Sequence, residues 1–267
     1  MRSFAPCESN GFPPDLLLSF IFKPDIFIKI YNGEQYVGHT SELWRAVRVL
    51  EWQLDIFLSE AVNNCYLVHA GVVANQGQAI MLPGESGSGK SSLTLALLKR
   101  GYSYFSDELA VVNPLTAQVT AFPKPFSLKA PRLFPTLARQ KNLWFGPASF
   151  EPEPYSNLPE EKRNRRVWYI HPEDVRAGSV AQASLPIRYI IFPKYQAQDQ
   201  PQLEPLPANL ALRKLIKNSV NLANLSEGSL GLLAKLVKEA QCFTLTVNDL
   251  EQTPALIDSL VGAKAQK

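Results

Sequence analysis

Gly84-Glu85-Ser86-Gly87-Ser88-Gly89-Lys90-Ser91 is the stretch on which the reading of this chain turns. It fits G-x-x-x-x-G-K-[ST] at every position, and each fixed position has a physical reason. The glycines let successive backbone N–H groups point inward and approach phosphate oxygens with no side chain in the way. A helix opening near Gly89 adds its positive end. Lys90 is expected to reach the β and γ phosphates, and the Ser91 hydroxyl to hold Mg²⁺. The candidate nucleotide-binding residues are therefore Gly84, Glu85, Ser86, Gly87, Ser88, Gly89, Lys90, Ser91 and the adjoining Ser92.

The flanks support that reading. Upstream, Tyr66 to Ala74 and Gln78 to Leu82 are apolar runs of strand length, joined by Asn75-Gln76-Gly77. A connection so short can only reverse the chain, so the two strands are expected to be antiparallel neighbours. Downstream, Ser91 to Arg100 reads as a helix closed by Gly101. Tyr104 to Val112 then reads as the next strand, ended by Asn113-Pro114.

That strand contains Ser106-Asp107-Glu108. Two adjacent carboxylates inside an apolar strand are costly unless a cation or a proton-sharing task uses them. A right-handed crossover is expected to bring this strand beside the one that feeds the glycine-rich loop. One carboxylate would then bind Mg²⁺ and the other accept the proton of an attacking hydroxyl. His69, in Leu67-Val68-His69-Ala70-Gly71-Val72, taken alone reads as a satisfied core residue.

Taken together, His69-Ala70-Gly71, the hairpin, Gly84 to Ser91 and Ser106-Asp107-Glu108 resemble the HPr serine kinase/phosphorylase family, and in particular its divergent HPr-kinase-related branch. The match covers about residues 66 to 113. The resemblance implies an α/β fold of the phosphoenolpyruvate-carboxykinase/HPr-kinase type, a P-loop domain with a mixed central sheet. It implies ATP and Mg²⁺ as cofactors and a hydroxyl, most naturally a serine, as acceptor. By position it implies catalytic roles for Asp107, His69 and Lys90, with Ser91, Glu108 and Asp107 at the metal. Two departures stand out. Glu108 occupies the place of the usual second aspartate, and Pro125-Phe126-Ser127-Leu128-Lys129 stands where the family has L-E-x-R-G-x-G. The kinase half of the resemblance carries over better than the phosphorolysis. The family is hexameric, so homo-oligomerisation is compatible with the resemblance.

The remaining sequence sets limits. The chain has 267 residues, 46% apolar and 19% charged, with net charge +3. That balance is too mild to indicate nucleic acid. Cys7, Cys65 and Cys242 are too scattered for a disulfide framework or a zinc site. No apolar run reaches the ~20 residues that span a bilayer, and no secretory leader is evident, so the expected location is the cytoplasm. Residues 1–64 read as a small N-terminal α+β lead-in, with strands at Leu16 to Phe22 and Ile26 to Tyr31 and a helix from Leu43. Residues 65–267 read as the nucleotide-binding domain. In it Val167 to Ile170, Ile187 to Phe192 and Phe243 to Val247 are expected strands, Leu210 to Leu222 and Leu230 to Ala240 helices, and Ala197 to Pro207 a loop.

Three further features bear on the function. Lys162, Arg163, Arg165 and Arg166 form a basic run that reads first as a solvated loop and second as a clamp on transferring phosphate, with Arg188 and Lys129 as weaker candidates. Leu225-Ser226-Glu227-Gly228-Ser229 resembles the ABC-transporter signature without its second glycine, and reads as a helix start. The GTPase motifs N-K-x-D and D-x-x-G are absent from the sequence. The expected function is a kinase. The alternative is a protein that binds ATP for regulation without transferring phosphate.

Overall fold

In the computed structural model the described residues are 18–22, 28–40, 43–62, 64–128, 144–147, 166–197, 200–224 and 229–262. Backbone contacts divide the chain into two compact units. One comprises Met1–Ala61 with Ser127–Tyr169, the other Val62–Phe126 with Ile170–Lys267.

In the first unit β1 (Leu18–Phe22), β2 (Ile28–Asn32) and β3 (Gln35–Thr40) form an antiparallel sheet in that order. The β2–β3 hairpin is a pairing that the sequence reading omits. Helix α1 (Leu43–Ala61) packs on it, with Ala46 and Val49 buried against Ile28 and Ile30.

The second unit carries the glycine-rich stretch. Its sheet runs β13–β14–β12–β5–β4–β7–β8, with β6 also paired to β4. The members are β4 (Tyr66–Asn75), β5 (Gln78–Pro83), β6 (Ser103–Ser106), β7 (Leu109–Val112), β8 (Gln118–Thr120), β12 (Leu185–Tyr195), β13 (Gln202–Pro205) and β14 (Gln241–Val247). β9 (Phe126–Leu128), β10 (Trp144–Pro147) and β11 (Arg166–Ile170), which fall almost wholly in the first unit, make a separate three-stranded sheet. Because β12 runs parallel to both β5 and β14 while β4 and β13 run antiparallel to their neighbours, the large sheet is mixed. The molecule is therefore a mixed α/β fold around a central mixed sheet.

Both faces of that sheet are covered. Val72, Ala70, Met81 and Ile190 pack with Ala211 and Leu215 of α4 (Ala208–Lys217) and Leu233 and Leu236 of α5 (Ser229–Glu239). Val73, Ile80, Leu82 and Ile191 pack with Leu93 and Leu97 of α2 (Lys90–Lys99) and Ile257 and Val261 of α6 (Gln252–Gly262). Strands buried on both faces have no polar side to show, which is why β4 and β5 read as continuous apolar runs. A short helix, α3 (Pro172–Val175), starts at His171, whose Nδ1 accepts a hydrogen bond from the Glu173 N–H. Among the described residues no helix is long and apolar enough to cross a membrane.

The β4–β5 hairpin forms as expected. Its turn places Gln76 and Gly77 at φ +51° and +73°, the paired positive angles of a type I′ connection. The helix after the loop ends as expected too, with Gly101 at φ +99°. Three expectations change. Tyr104 to Val112 is two strands, because the chain leaves the sheet at Asp107 and Glu108. It does not lie beside β5: the hairpin has already filled that edge with β4, so β6 and β7 pair with β4. Residues 202–205 of the expected loop form β13, an edge strand on β14. Helix α6 is also new; Asp249 Oδ1 caps it by accepting from the Glu251 and Gln252 N–H groups.

Candidate functional site

Sheet register brings the candidate residues together. Val72 stands opposite Ser106 on one side and Met81 on the other. His69 stands opposite Leu109. The break at Asp107-Glu108 thus lies across from Ala70 and Gly71, level with Leu82 and Pro83, where β5 gives way to the glycine-rich loop. Only small side chains, at Ala70 and Gly71, separate the acidic bend from the loop.

The bend is held by Ser106. Its buried hydroxyl accepts from the Glu108 N–H at 3.2 Å and from the Leu109 N–H at 3.1 Å, and the Ala70 N–H donates to the Glu108 carbonyl at 3.2 Å. The serine satisfies donors that the ladder drops when the strand breaks.

Gly84 to Gly89 run from β5 into the first turn of α2. Gly87 and Gly89 both have φ +91°, a left-handed conformation that glycine adopts without penalty. Gly84 lacks room for more: an added Cβ would lie 2.5 Å from Ser88 Oγ. Ser88 donates its N–H to the Glu85 carbonyl, and its own hydroxyl oxygen is buried with no hydrogen-bond partner among the described residues. Glu85, Ser86 and Gly87 are exposed, whereas Ser91 and Ser92 are half-buried at the start of α2.

Lys90 is 6% exposed, and its ammonium is held from two sides. Nζ lies 2.9 Å from His69 Nε2 and donates to the Asp107 carbonyl at 3.1 Å. His69 Nε2 also lies 3.2 Å from Glu108 Oε1. One ring nitrogen can accept from Lys90 or donate to Glu108, so its proton decides which neighbour it serves. His69 is half-buried and faces the acidic pair. It is therefore not a fully buried core residue.

Gly71 explains how α2 comes so close to β4. A Cβ there would meet Thr94 Oγ1 at 2.4 Å and Lys90 Cγ at 3.3 Å. Thr94 in turn donates to the Lys90 carbonyl at 2.9 Å.

The two carboxylates have opposite environments. Asp107 is 3% exposed. Burial pushes its carboxyl up to about 6, against the pull of the Lys90 charge and hydrogen bonds from Ser91 and Thr94; the neighbouring Glu108 pushes it further up. Its Oδ1 is buried with no partner among the described residues. Glu108 is more open. Burial works against its charge too, but the His69 hydrogen bond and the Lys90 and Lys124 charges outweigh it and bring the carboxyl down to about 2. Two titratable neighbours driven apart in this way are a hallmark of sites that use one acid and one base.

Lys124 is the residue that the sequence reading missed. It is 8% exposed, on the segment whose backbone follows β6: the Phe122 N–H donates to the Phe105 carbonyl, and the Tyr104 hydroxyl donates to the Lys124 carbonyl at 2.6 Å. Nothing local marks a lysine before Pro125 as buried beside an acid 16 positions earlier. The basic run Lys162 to Arg165 and the candidate Lys129 lie outside the described residues, as do Leu225 to Gly228; Arg166 opens β11. Arg188 is exposed on β12, and His39 pairs with the Tyr36 hydroxyl at 2.6 Å.

No family model matches the chain. No curated protein matches it either. Among solved structures, the chain is similar to the HPr(Ser) kinase/phosphatase from Coxiella burnetii, at 11% identity and a TM-score of 0.38, over 75% of this chain and 96% of that one. A likeness so slight bears on neither mechanism nor substrate.

Proposed function

We propose that this chain is a kinase that transfers the γ-phosphoryl group of ATP to a hydroxyl, with serine on a peptide, protein or small molecule as the acceptor class. One observation carries the reading: a buried lysine at the end of a glycine-rich loop is clamped onto the backbone of an acidic bend whose buried carboxylate oxygen, Asp107 Oδ1, has no partner among the described residues. A buried polar atom without a partner marks a place where a ligand completes the bonding.

The residues fit the nucleotide and its cation. The Ser88 hydroxyl, unpartnered among the described residues, and the loop N–H groups suit phosphate oxygens, and Lys90 offsets their charge. Of the residues expected at the metal, Ser91 and Glu108 would hold Mg²⁺, whose charge, when bound, neutralises that of the phosphates, and Asp107 is left for the proton. Among the described residues no three His, Cys, Asp or Glu could hold a metal alone, and Mg²⁺ commonly takes its other ligands from phosphate and water. Asp107 suits the base: a carboxyl near 6 is ionised at neutral pH and still basic enough to accept the acceptor hydroxyl's proton. Glu108 stays anionic throughout and suits the cation. His69, bridging Glu108 and Lys90, positions both. Phosphoryl transfer asks for positioning and charge neutralisation with little covalent work by the protein.

The test is calorimetry with MgATP followed by labelled-phosphate transfer to lysate acceptors. Lys90→Ala should abolish binding; Asp107→Asn should bind MgATP and transfer nothing. Transfer by Asp107→Asn at the wild-type rate removes the base assignment. Tight MgATP binding with no transfer to any acceptor, and with an acidic pair that tolerates substitution, replaces the kinase by an ATP-binding regulator.

A further inference from the structure

The glycine-rich loop has two sides. On one lie β4, the acidic bend and the Lys90 ammonium; on the other lie the carboxyl ends of β12 and β14, which run parallel to β5 and finish beside the loop. An added Cβ at Gly89 would lie 3.3 Å from Val247 Cγ1 and 3.8 Å from Tyr195 Cβ, and one at Gly84 would lie 3.6 Å from Pro193 Cγ. If the reading under Proposed function holds, the γ phosphate sits at the acidic side. The nucleoside, at the opposite end of the triphosphate, then leaves over the β12–β14 side. Ligands of open α/β sheets sit beyond the carboxyl ends of the strands in just this way.

Tyr195 stands where the nucleoside leaves. Along β12, Tyr189 and Ile191 point into the core under α2, and the period of two carries Pro193 and Tyr195 to the same face at the loop. Tyr189 is 1% exposed, but Tyr195 is 54% exposed. Its backbone is nonetheless fixed: Tyr195 pairs with Val247, and the Gln196 N–H donates to the Val247 carbonyl at 3.0 Å. A large aromatic left open to water on a rigid strand end, beside a phosphate-binding loop, is the arrangement of a stacking platform. The neighbouring Asp249 is not a base reader of equal standing, since its Oδ1 is committed to capping α6.

We infer that the Tyr195 ring stacks on the nucleobase of the bound nucleotide. Every base has a π-face, so stacking holds a base with little regard to its identity. The site should therefore accept purine triphosphates broadly, with ATP and GTP within a few-fold of each other.

The experiment compares MgATP, MgGTP and Mg-tripolyphosphate by calorimetry on the full chain, as wild type, Tyr195→Ala and Tyr195→Phe. Tyr195→Ala should weaken MgATP by roughly 5- to 100-fold, leave tripolyphosphate unchanged, and be rescued by Tyr195→Phe. Equal MgATP affinity in Tyr195→Ala and wild type overturns the inference and leaves the phosphate site standing. Loss of tripolyphosphate along with MgATP overturns it as well, because the ring would then be supporting the loop. A wild type that binds neither MgATP nor tripolyphosphate overturns the nucleotide reading itself.

Discussion

Replacing Asp107 by asparagine should make the ligand-free protein more stable while disabling it. A carboxyl that titrates near 6 in the folded chain and near 3.8 when unfolded binds its proton more tightly when folded. Its contribution is neutral at low pH, where both states are protonated. Stability is then lost as pH rises through the window from about 4 to 6, and the deficit is constant above about 7. At roughly 1.36 kcal/mol per pH unit the deficit is about 3 kcal/mol. Asparagine keeps the shape of the neutral acid and carries no charge, so it escapes the deficit. For a folding unit of this size that corresponds to a gain of roughly 6–12 °C in Tm. The assay is thermal unfolding of Asp107→Asn and wild type from pH 4 to 8, in EDTA and without nucleotide. The difference between the two should be near zero at pH 4 and grow to its plateau by pH 7. Using the difference cancels groups that do not feel Asp107; Glu108, which does, loses its support of the fold as pH falls from about 4.5 toward 2, and so overlaps the window only at its acid edge. A variant no more stable than wild type at pH 8, or a difference that does not change with pH, refutes the reasoning. Stability given up at a buried carboxylate is the exchange that a working site makes, as the proposed base role of Asp107 requires.

Two further outcomes follow from packing. Gly71→Ala drives a methyl into Thr94 Oγ1 and should cost about 1–3 kcal/mol in denaturant unfolding, with weaker MgATP binding; adding Thr94→Ala should restore part of the loss, because the two positions share one contact. Ser106→Ala strips one buried and one half-buried N–H group of their acceptor and should cost about 1–3 kcal/mol, with phosphate transfer falling more than MgATP affinity because the bend carrying Asp107 loosens.

The glycine-rich loop, the hairpin before it and the helix after it were legible because each is encoded locally. Gly87 and Gly89 supply angles that other residues avoid, Gln76-Gly77 sets a two-residue reversal, and the leucine-rich run Leu93 to Leu98, buried throughout, is made mostly of good helix formers. Asp107 and Glu108 were conspicuous because charge in an apolar run is anomalous. The chain's exit from the sheet at that point was not, since a period-2 pattern does not reveal whether a strand bulges out. Lys124 was hidden for a related reason: its neighbour Glu108 is brought to it by the fold, and local spacing carries no trace of that approach.

The order of residues alone determined that a glycine-rich loop runs from Gly84 to Ser91 between a strand and a helix, with two carboxylates soon after it. Local backbone preferences and the cost of burying charge act over a few residues and can be read in sequence. Only the tertiary structure decided that β4, and not the acidic strand, lies beside β5, that His69 touches both Lys90 and Glu108, and that Tyr195 ends up at the far side of the loop. Strand order and register join residues tens to a hundred positions apart, and it is the packing of the whole sheet that selects them.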